Sequence, residues 1–307
     1  MKELVVGKNE ANQRIDKLLF KYLPDAGKGF LYKMMRKKNI TLNDSKCEGK
    51  EILSEGDIVK IWFSDDTIAS FQSSRSIDKV KVSLKPVYED EDIVIFNKPA
   101  GMLSQKASND DVSVNEILIN YLKETGQLSE EQLLTFKPSI CNRLDRNTSG
   151  LIVCGKSLAG LQKMAEYLKD RTAHKDYIAA VKGEVRTGGS LKGFLSKDNK
   201  TNTVSIGEAG DYIETEYKPL WTDGKRTFLM VRLITGKTHQ IRAHLASAGH
   251  PIIGDMKYGD GHGAKRQLLH AYRLTLPDGR IFTAEPPEDM KWELGNPEAF
   301  EDLPSRI

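Results

Sequence analysis

The chain has 307 residues, 39% of them hydrophobic and 29% charged, with a formal net charge of +3 at pH 7. That length allows two domains, one large enough to bury a substantial core, and the composition is ordinary for a soluble globular protein. No segment approaches the ~20 apolar residues of a membrane span. The first residues lack an apolar export signal, and three cysteines (Cys47, Cys141, Cys154) form no CxxC pair, which fits reduced thiols in a cytoplasm. A charge of +3 does not by itself imply a polyanionic partner, so its distribution matters more.

In chain order, QRIDKLLFKYL places Ile15, Leu18, Leu19, Tyr22 and Leu23 on one helical face, and Pro24 ends the helix. The next stretch, AGKGFLYKMMRKKNITLN, has five basic residues and no acid. Drawn as a helix at ~100° per residue, Phe30, Leu31, Met34 and Met35 share one side and Lys33, Arg36 and Lys37 the other. Short alternating runs with Asn-Asp-Ser and Glu-Gly-Asp breaks then predict small strands up to residue 63. A solvated surface is the usual reading of a basic helix face. Here the helix, basic helix, strand order resembles the small αL RNA-binding domain also found in a ribosomal small-subunit protein. That resemblance implies that Lys33, Arg36 and Lys37 neutralise RNA phosphates. Residues 64–80, serine-rich and without a period, read as a linker, leaving 81–307 as a second domain.

In that second domain, VYEDEDIVIFNKPAGML reads as two strand arms around an acidic turn. Ser113 and Glu116 form a candidate capping box for a helix carrying Val114, Ile117, Leu118, Tyr121 and Leu122. Ser157 caps a further helix with Leu158, Leu161, Ala165 and Leu168 on its buried side. Residues 175–235 are mostly strand, with turns at Gly183, Gly188-Gly189, Asp198-Asn199 and Asp223-Gly224. Strands outnumber helices and many joins look like hairpins, so the expected class is α+β with a mostly antiparallel mixed sheet.

Three stretches carry more polar residues than a core needs: NRLDRNTSGL, RTAHKDYIAAVKG and LITGKTHQIRAHLASAGHPIIGDMKYG. In the third, Thr238 is a candidate helix cap and Gly249 a stop. Arg242 would lie in the first turns, where a cation opposes the helix dipole by up to ~1 kcal/mol, and so makes better sense with a carboxylate to meet. His239, His244 and His250 do not form a metal site: residues five apart on a helix lie ~140° apart, and no Cys or carboxylate stands at ligand spacing. Neither GxSxG nor a nucleotide-binding glycine signature is present. A glycosidase needs two carboxylates, whereas these stretches offer Asp145, with Asp176 read as a surface residue. The specification is a single-carboxylate enzyme without a cofactor or metal, joined to an RNA-binding module.

NRLDRNTSGL resembles the HRLDxxTSGL motif of the RluA-type pseudouridine synthases, EDEDIVIFNKPAGM their first motif, and TGKTHQIRAHLASAGHPIIGD their TGRTHQIRxHLxxxGHPIxGD block. LLHAYRLTLP is similar to their closing strand. Together these cover residues ~85 to 287 in the family's order. The resemblance implies the pseudouridine synthase fold, Asp145 as catalytic aspartate, Tyr177 against the target base, and Arg242 paired with the aspartate, held bidentately by its guanidinium. Arg143 and His239 would face the RNA. Asn142 stands where many members have histidine, and Lys237 replaces the usual arginine. The Thr148-Ser149-Gly150 turn would let the RNA backbone approach. The fused αL domain favours ribosomal RNA as substrate. A tRNA-modifying enzyme and a non-catalytic RNA-binding ribosome-assembly factor are the alternatives. A monomer is expected.

Overall fold

The computed structural model describes residues 1–72, 82–108, 111–198, 201 and 203–293. Its N-terminal part contains β1 (Lys2–Val5), α1 (Ile15–Tyr22), α2 (Lys28–Arg36), β2 (Ile40–Leu42), β3 (Ser45–Lys46), β4 (Ile58–Ile61) and α3 (Asp65–Ser70). The four strands form an antiparallel sheet in the order β1-β4-β2-β3. The helical stripe Ile15, Leu18, Leu19 and Tyr22 buries against Leu31 and Met35 of α2 and Val59 and Ile61 of β4. Lys33, Arg36 and Lys37 remain exposed on the far side of α2. Residues 65–70, expected in a linker, instead form α3. Ser64 caps it, Asp65 and Asp66 complement its dipole, and Ile68 joins the N-terminal core. Residues 73–80 of the expected linker lie outside the described residues.

The remainder comprises β5 (Pro86–Glu89), β6 (Ile93–Lys98), α4 (Val114–Glu124), α5 (Glu130–Thr135), β7 (Ser139–Ile140), β8 (Ser149–Gly155), α6 (Leu158–Lys169) and β9 (His174–Lys182). There follow β10 (Gly189–Asp198), β11 (Thr203–Gly207), β12 (Asp211–Thr222), β13 (Arg226–Leu233), α7 (Gln240–Ser247), β14 (Leu269–Thr275), β15 (Ile281–Thr283) and α8 (Glu288–Glu293). Eleven strands form one sheet, β11-β10-β12-β13-β9-β14-β8-β6-β5, with β15 on β14 and β7 on β8. Every pairing is antiparallel except β14 with β8. This is the expected α+β class.

Period-two alternation divides the strands between two helical layers. Phe96, Ile152, Tyr177, Ala179, Leu229 and Val231 face α4 and α7, meeting Leu118, Leu122, Ile241 and Leu245. On the opposite face, Ile95, Leu151, Val153 and Leu274 meet Met164 of α6, while Ile178, Ala180, Phe228 and Tyr272 meet Met290 of α8. Ala165, expected on the buried side of α6, is exposed. Ser113 begins α4, but its hydroxyl donates to Glu116 (2.5 Å) rather than accepting from a helix amide. The reciprocal capping box belongs to Ser129 and Gln132 of α5, a helix not foreseen. α5 packs on α1, with Thr135 donating to Glu10 (2.7 Å).

The parallel β14–β8 contact requires a glycine. Gly150 has φ +114°, and a Cβ there would lie 2.3 Å from the carbonyl oxygen of Ala271. Thr148, Ser149 and Gly150 are all buried. The missing side chain of Gly150 therefore admits the β14 backbone, while Thr148 lines the cleft. Gly150→Ala should cost about 3 kcal/mol or more, from backbone collision added to left-handed strain. Gly101 also has positive φ but faces open space, so Gly101→Ala should cost only about 1 kcal/mol. Urea unfolding of the two variants checks the contrast; equal losses would show that strain alone matters.

Candidate active site

Asp145 lies in the turn between β7 and β8, and that turn is fixed from several sides. Lys98, fully buried at the end of β6, donates to the carbonyls of Pro99 (3.0 Å), Met102 (2.9 Å) and Arg146 (3.1 Å). Burial lowers its ammonium pKa to about 7, with the Asp145 charge acting in the other direction. The Ser104 hydroxyl donates to the Leu144 carbonyl (2.8 Å) and accepts from the Leu144 amide (3.0 Å). Arg266 donates to the Asn147 carbonyl (3.1 Å) and is itself held by Asp289 through two bonds (2.5 and 2.7 Å). Asn142 accepts from the Val153 amide (2.8 Å), so this side chain supports β8. Buried His270 donates from Nε2 to the Ala284 carbonyl (2.9 Å), leaving Nδ1 to accept from the Ser149 hydroxyl (2.9 Å). Desolvation pushes its pKa down to about 4, consistent with a neutral ring tying β8 to β14.

Arg242, the third residue of α7, supplies the partner for Asp145. Its Nη1 donates to Asp145 Oδ2 (2.9 Å). The bidentate contact is elsewhere: Nε and Nη2 bind the two oxygens of Asp255 (2.7 and 2.8 Å), which is fully buried. Burial pushes the Asp255 carboxyl up, and the Arg242 guanidinium more than reverses this, so its pKa ends below the ordinary value. The Tyr258 ring lies 5.1 Å from the same guanidinium. The Tyr258 hydroxyl accepts from the Val204 amide (2.9 Å) and shares a hydrogen bond with His239 Nδ1 (2.8 Å), whose direction follows the imidazole tautomer. The other ring nitrogen of His239 faces Asp145, with Nε2 3.8 Å from Oδ2. Desolvation lowers the His239 pKa despite the nearby Asp145 charge, so the ring is mostly neutral at pH 7.

α7 starts differently from the sequence expectation. Its cap is His239, in a left-handed conformation (φ +56°), and not Thr238. The turn is stabilised instead by the Gln240 side chain, which accepts from the Thr235 hydroxyl and Lys237 amide and donates to the Glu214 carbonyl. The far end follows expectation: Gly249 has φ +84° and the His250 amide bonds the Leu245 carbonyl, a Schellman closure.

These elements enclose a cleft of about 1190 Å³ along one rim of the sheet. Tyr177 reaches it from β9, and its hydroxyl has no protein partner among the described residues. Burial, with the Asp145 charge adding to it, raises the Tyr177 pKa, so the phenol stays protonated. Among the described residues, Asp145 is the sole carboxylate of the lining. It is surrounded by Lys106, Arg143, Arg146, Arg171, Lys175, Lys197, Lys237, Arg242, Lys257, Lys265 and Arg266. Eleven cations to one carboxylate make this concavity far more positive than the chain's net charge of +3, the distribution a polyanion selects.

A model of the RNA pseudouridylate synthase family matches residues 92–247, about half of the chain, and spans Asp145, Tyr177 and Arg242. A curated relative, ribosomal large subunit pseudouridine synthase D of Borreliella burgdorferi, is 33% identical over 245 residues, covering 74% of each chain. This chain belongs to the RNA pseudouridylate synthase family. Ribosomal large subunit pseudouridine synthase C of Pasteurella multocida is 31% identical over 292 residues, covering 89% of this chain and 85% of its own. Among solved structures, human RNA pseudouridylate synthase domain containing 4 superposes with a TM-score of 0.56 at 19% identity, over 70% of this chain and 92% of its own. That likeness supports the fold.

The enzyme brings together four residues singled out from sequence: Asp145, Tyr177, Arg242 and His239. His239 lines the cleft beside the carboxylate, with its side chain 7% exposed. Arg143 is exposed at the mouth of the cleft. Lys33, Arg36 and Lys37 belong to the separate N-terminal sheet-and-helix unit and do not line the cleft. Asp176, read from sequence as a surface residue, is buried and bonded to Arg232 (2.8 and 3.2 Å) and Arg273 (2.9 Å). Asp255, Tyr258, Lys98 and Arg266 were missed. Asp255 lies inside the GHPIIGD block, but no spacing rule links it to an arginine 13 residues earlier.

Proposed function

We propose that this enzyme converts uridine to pseudouridine in ribosomal RNA, with Asp145 as the reacting carboxylate, Tyr177 against the target base and Arg242 holding the aspartate in register. One observation carries the reading: a single carboxylate stands in a strongly cationic cleft, one oxygen bonded to Arg242 and the other without a protein donor among the described residues. The curated relatives quoted above, both named as ribosomal large subunit enzymes, support ribosomal RNA as the substrate.

The reaction breaks the C1′–N1 bond and forms C1′–C5. The proton lost from C5 is balanced by one gained at N1, so neither oxidant nor co-substrate is needed. The base must first leave its stack, at a cost of a few kcal/mol. Asp145 then attacks C1′, takes a proton from C2′, or adds to C6; all three begin from the ionised carboxylate. Arg242 orients the shared oxygen, leaving the other for substrate. A neutral Tyr177 ring offers the detached uracil a face and a protonated hydroxyl.

The test is carbodiimide probing with primer extension across ribosomal RNA and tRNA from cells with and without the gene. A stop that disappears on deletion, and returns with the wild type but not with Asp145→Asn, supports reaction and substrate together. A lost stop confined to tRNA would replace the ribosomal reading.

Residues 1–63 are proposed as an αL-type RNA-binding domain, supported by the exposed row Lys33, Arg36 and Lys37 on α2. Changing all three to glutamate should weaken RNA binding by at least about tenfold at moderate salt, leaving turnover at saturating RNA within about twofold. Unchanged affinity in a filter-binding titration would remove this helix from the RNA interface.

A further inference from the structure

Lys175 stands apart from the other cations of the cleft that have been withdrawn from water. It lies on β9 two residues before Tyr177, so the two side chains share the face that opens on the cleft. Buried Lys98 donates to three carbonyls, Arg242 meets two carboxylates, and Arg266 meets Asp289. Lys237, nearer the rim, is paired with Asp211. Among the described residues Lys175 has neither a hydrogen-bond acceptor nor an opposite charge. The adjacent Asp176 does not serve it, because that carboxylate points to the other face of the sheet and is held by Arg232 and Arg273. Burial alone lowers the Lys175 ammonium below its ordinary pKa, with no compensating charge. An ammonium taken partly from water without a partner is unfavourable, and a protein tolerates it where a ligand completes the site.

The surroundings specify that ligand. The ammonium lies against Gly236, where an added Cβ would come within 3.2 Å of Nζ, so the glycine leaves the nitrogen uncovered. Lys175 stands about 7 Å along the strand from Tyr177 at ~3.4 Å per residue. The base is neutral, so the group on the same nucleotide that an unpartnered ammonium would meet is its anionic backbone phosphate. We propose that Lys175 binds a phosphate oxygen of the nucleotide entering the cleft and so fixes the flipped uridine against Asp145 by its own backbone. This rests on the RNA substrate proposed above and adds a binding residue to it.

The test uses the full chain, a ribosomal RNA transcript, and the variants Lys175→Met and Lys175→Arg. Binding is titrated across KCl concentrations, and isomerisation is followed by tritium release from C5 over a range of RNA concentrations. Lys175→Met should raise the half-saturating RNA concentration about tenfold and leave turnover at saturation within about threefold. It should also lower the slope of log affinity against log salt by about 0.7–0.9, the share of one phosphate contact. Lys175→Arg should restore both. The thermal midpoint of Lys175→Met without RNA should be unchanged or higher, because removing a partnerless cation orphans nothing. An unaltered salt slope would overturn the proposal. So would a midpoint lowered by several degrees, which would reveal an internal partner, or a turnover loss at unchanged affinity, which would place Lys175 in the chemistry. Failure of the wild type to release tritium would count against the synthase reading, while the salt slope would still decide the phosphate contact.

Discussion

Asp145→Asn is expected to reduce isomerisation by at least about a thousandfold while leaving RNA affinity within about tenfold. The substitution keeps the shape and one acceptor oxygen and removes the charge. It does not orphan Arg242, because that guanidinium retains its bidentate contact with buried Asp255. The backbone of the turn is likewise held by Lys98, Ser104 and Arg266, none of which bonds the Asp145 side chain. Stability should therefore stay within about 1 kcal/mol of wild type. The cations of the cleft are untouched, so the phosphate contacts proposed for them would remain. Tritium release and filter binding on the same preparation provide the check. Substantial turnover by the variant would remove Asp145 from the reaction.

A second large effect is expected at Asp255. Asp255→Ala leaves the Arg242 guanidinium in a buried position with one of its two carboxylates gone, at a cost of about 3–5 kcal/mol. The remaining contact to Asp145 no longer has a fixed geometry, so turnover should fall with stability. Combining Asp255→Leu with Arg242→Met separates the two effects. The pair becomes apolar, so stability should recover most of the loss, whereas activity should not. Recovery of both would mean that Arg242 contributes packing alone. Acid should act on the same pair. The folded-state carboxyl of Asp255 titrates below its ordinary value, so its stabilisation is complete above about pH 4 and is lost as pH falls through the lowered pKa.

The sequence made the long periodic elements legible. α1, α2, α4 and α6 each carry an apolar stripe at helical spacing, and Gly183 and Asp223-Gly224 mark turns that the structure uses; Gly189 and Asp198 instead begin and end β10, and Asn199 lies outside the described residues. What was not legible divides by cause. α3 and α5 are six residues long, too short for a period, although Ser129-Glu-Glu-Gln132 held a capping signal. β1 is an edge strand with mostly exposed residues, so it shows no alternation. Asp176 resembled a surface acid because its arginines come from β13 and β14, 56 and 97 residues away. In the candidate site, the residue types were legible and the anchors were not. Arg242 visibly lacked a carboxylate, but that it would have two, with Asp255 the more tightly held, depended on a loop return with no local signature.

The single parallel pairing in the large sheet sets the order in which this molecule becomes competent. Asn147 and Ser149 are secured by Arg266 and His270, 119 and 121 residues further along. Asp289, later still, clamps Arg266. The buried core of the N-terminal unit, by contrast, is drawn from Val6 to Ile68, with α5 added against α1. During synthesis at about 5–20 residues per second, Asp145 emerges on the order of ten seconds before the segments that fix its turn. A cleft held in this way cannot close until the segment from Arg266 to Asp289 has been made.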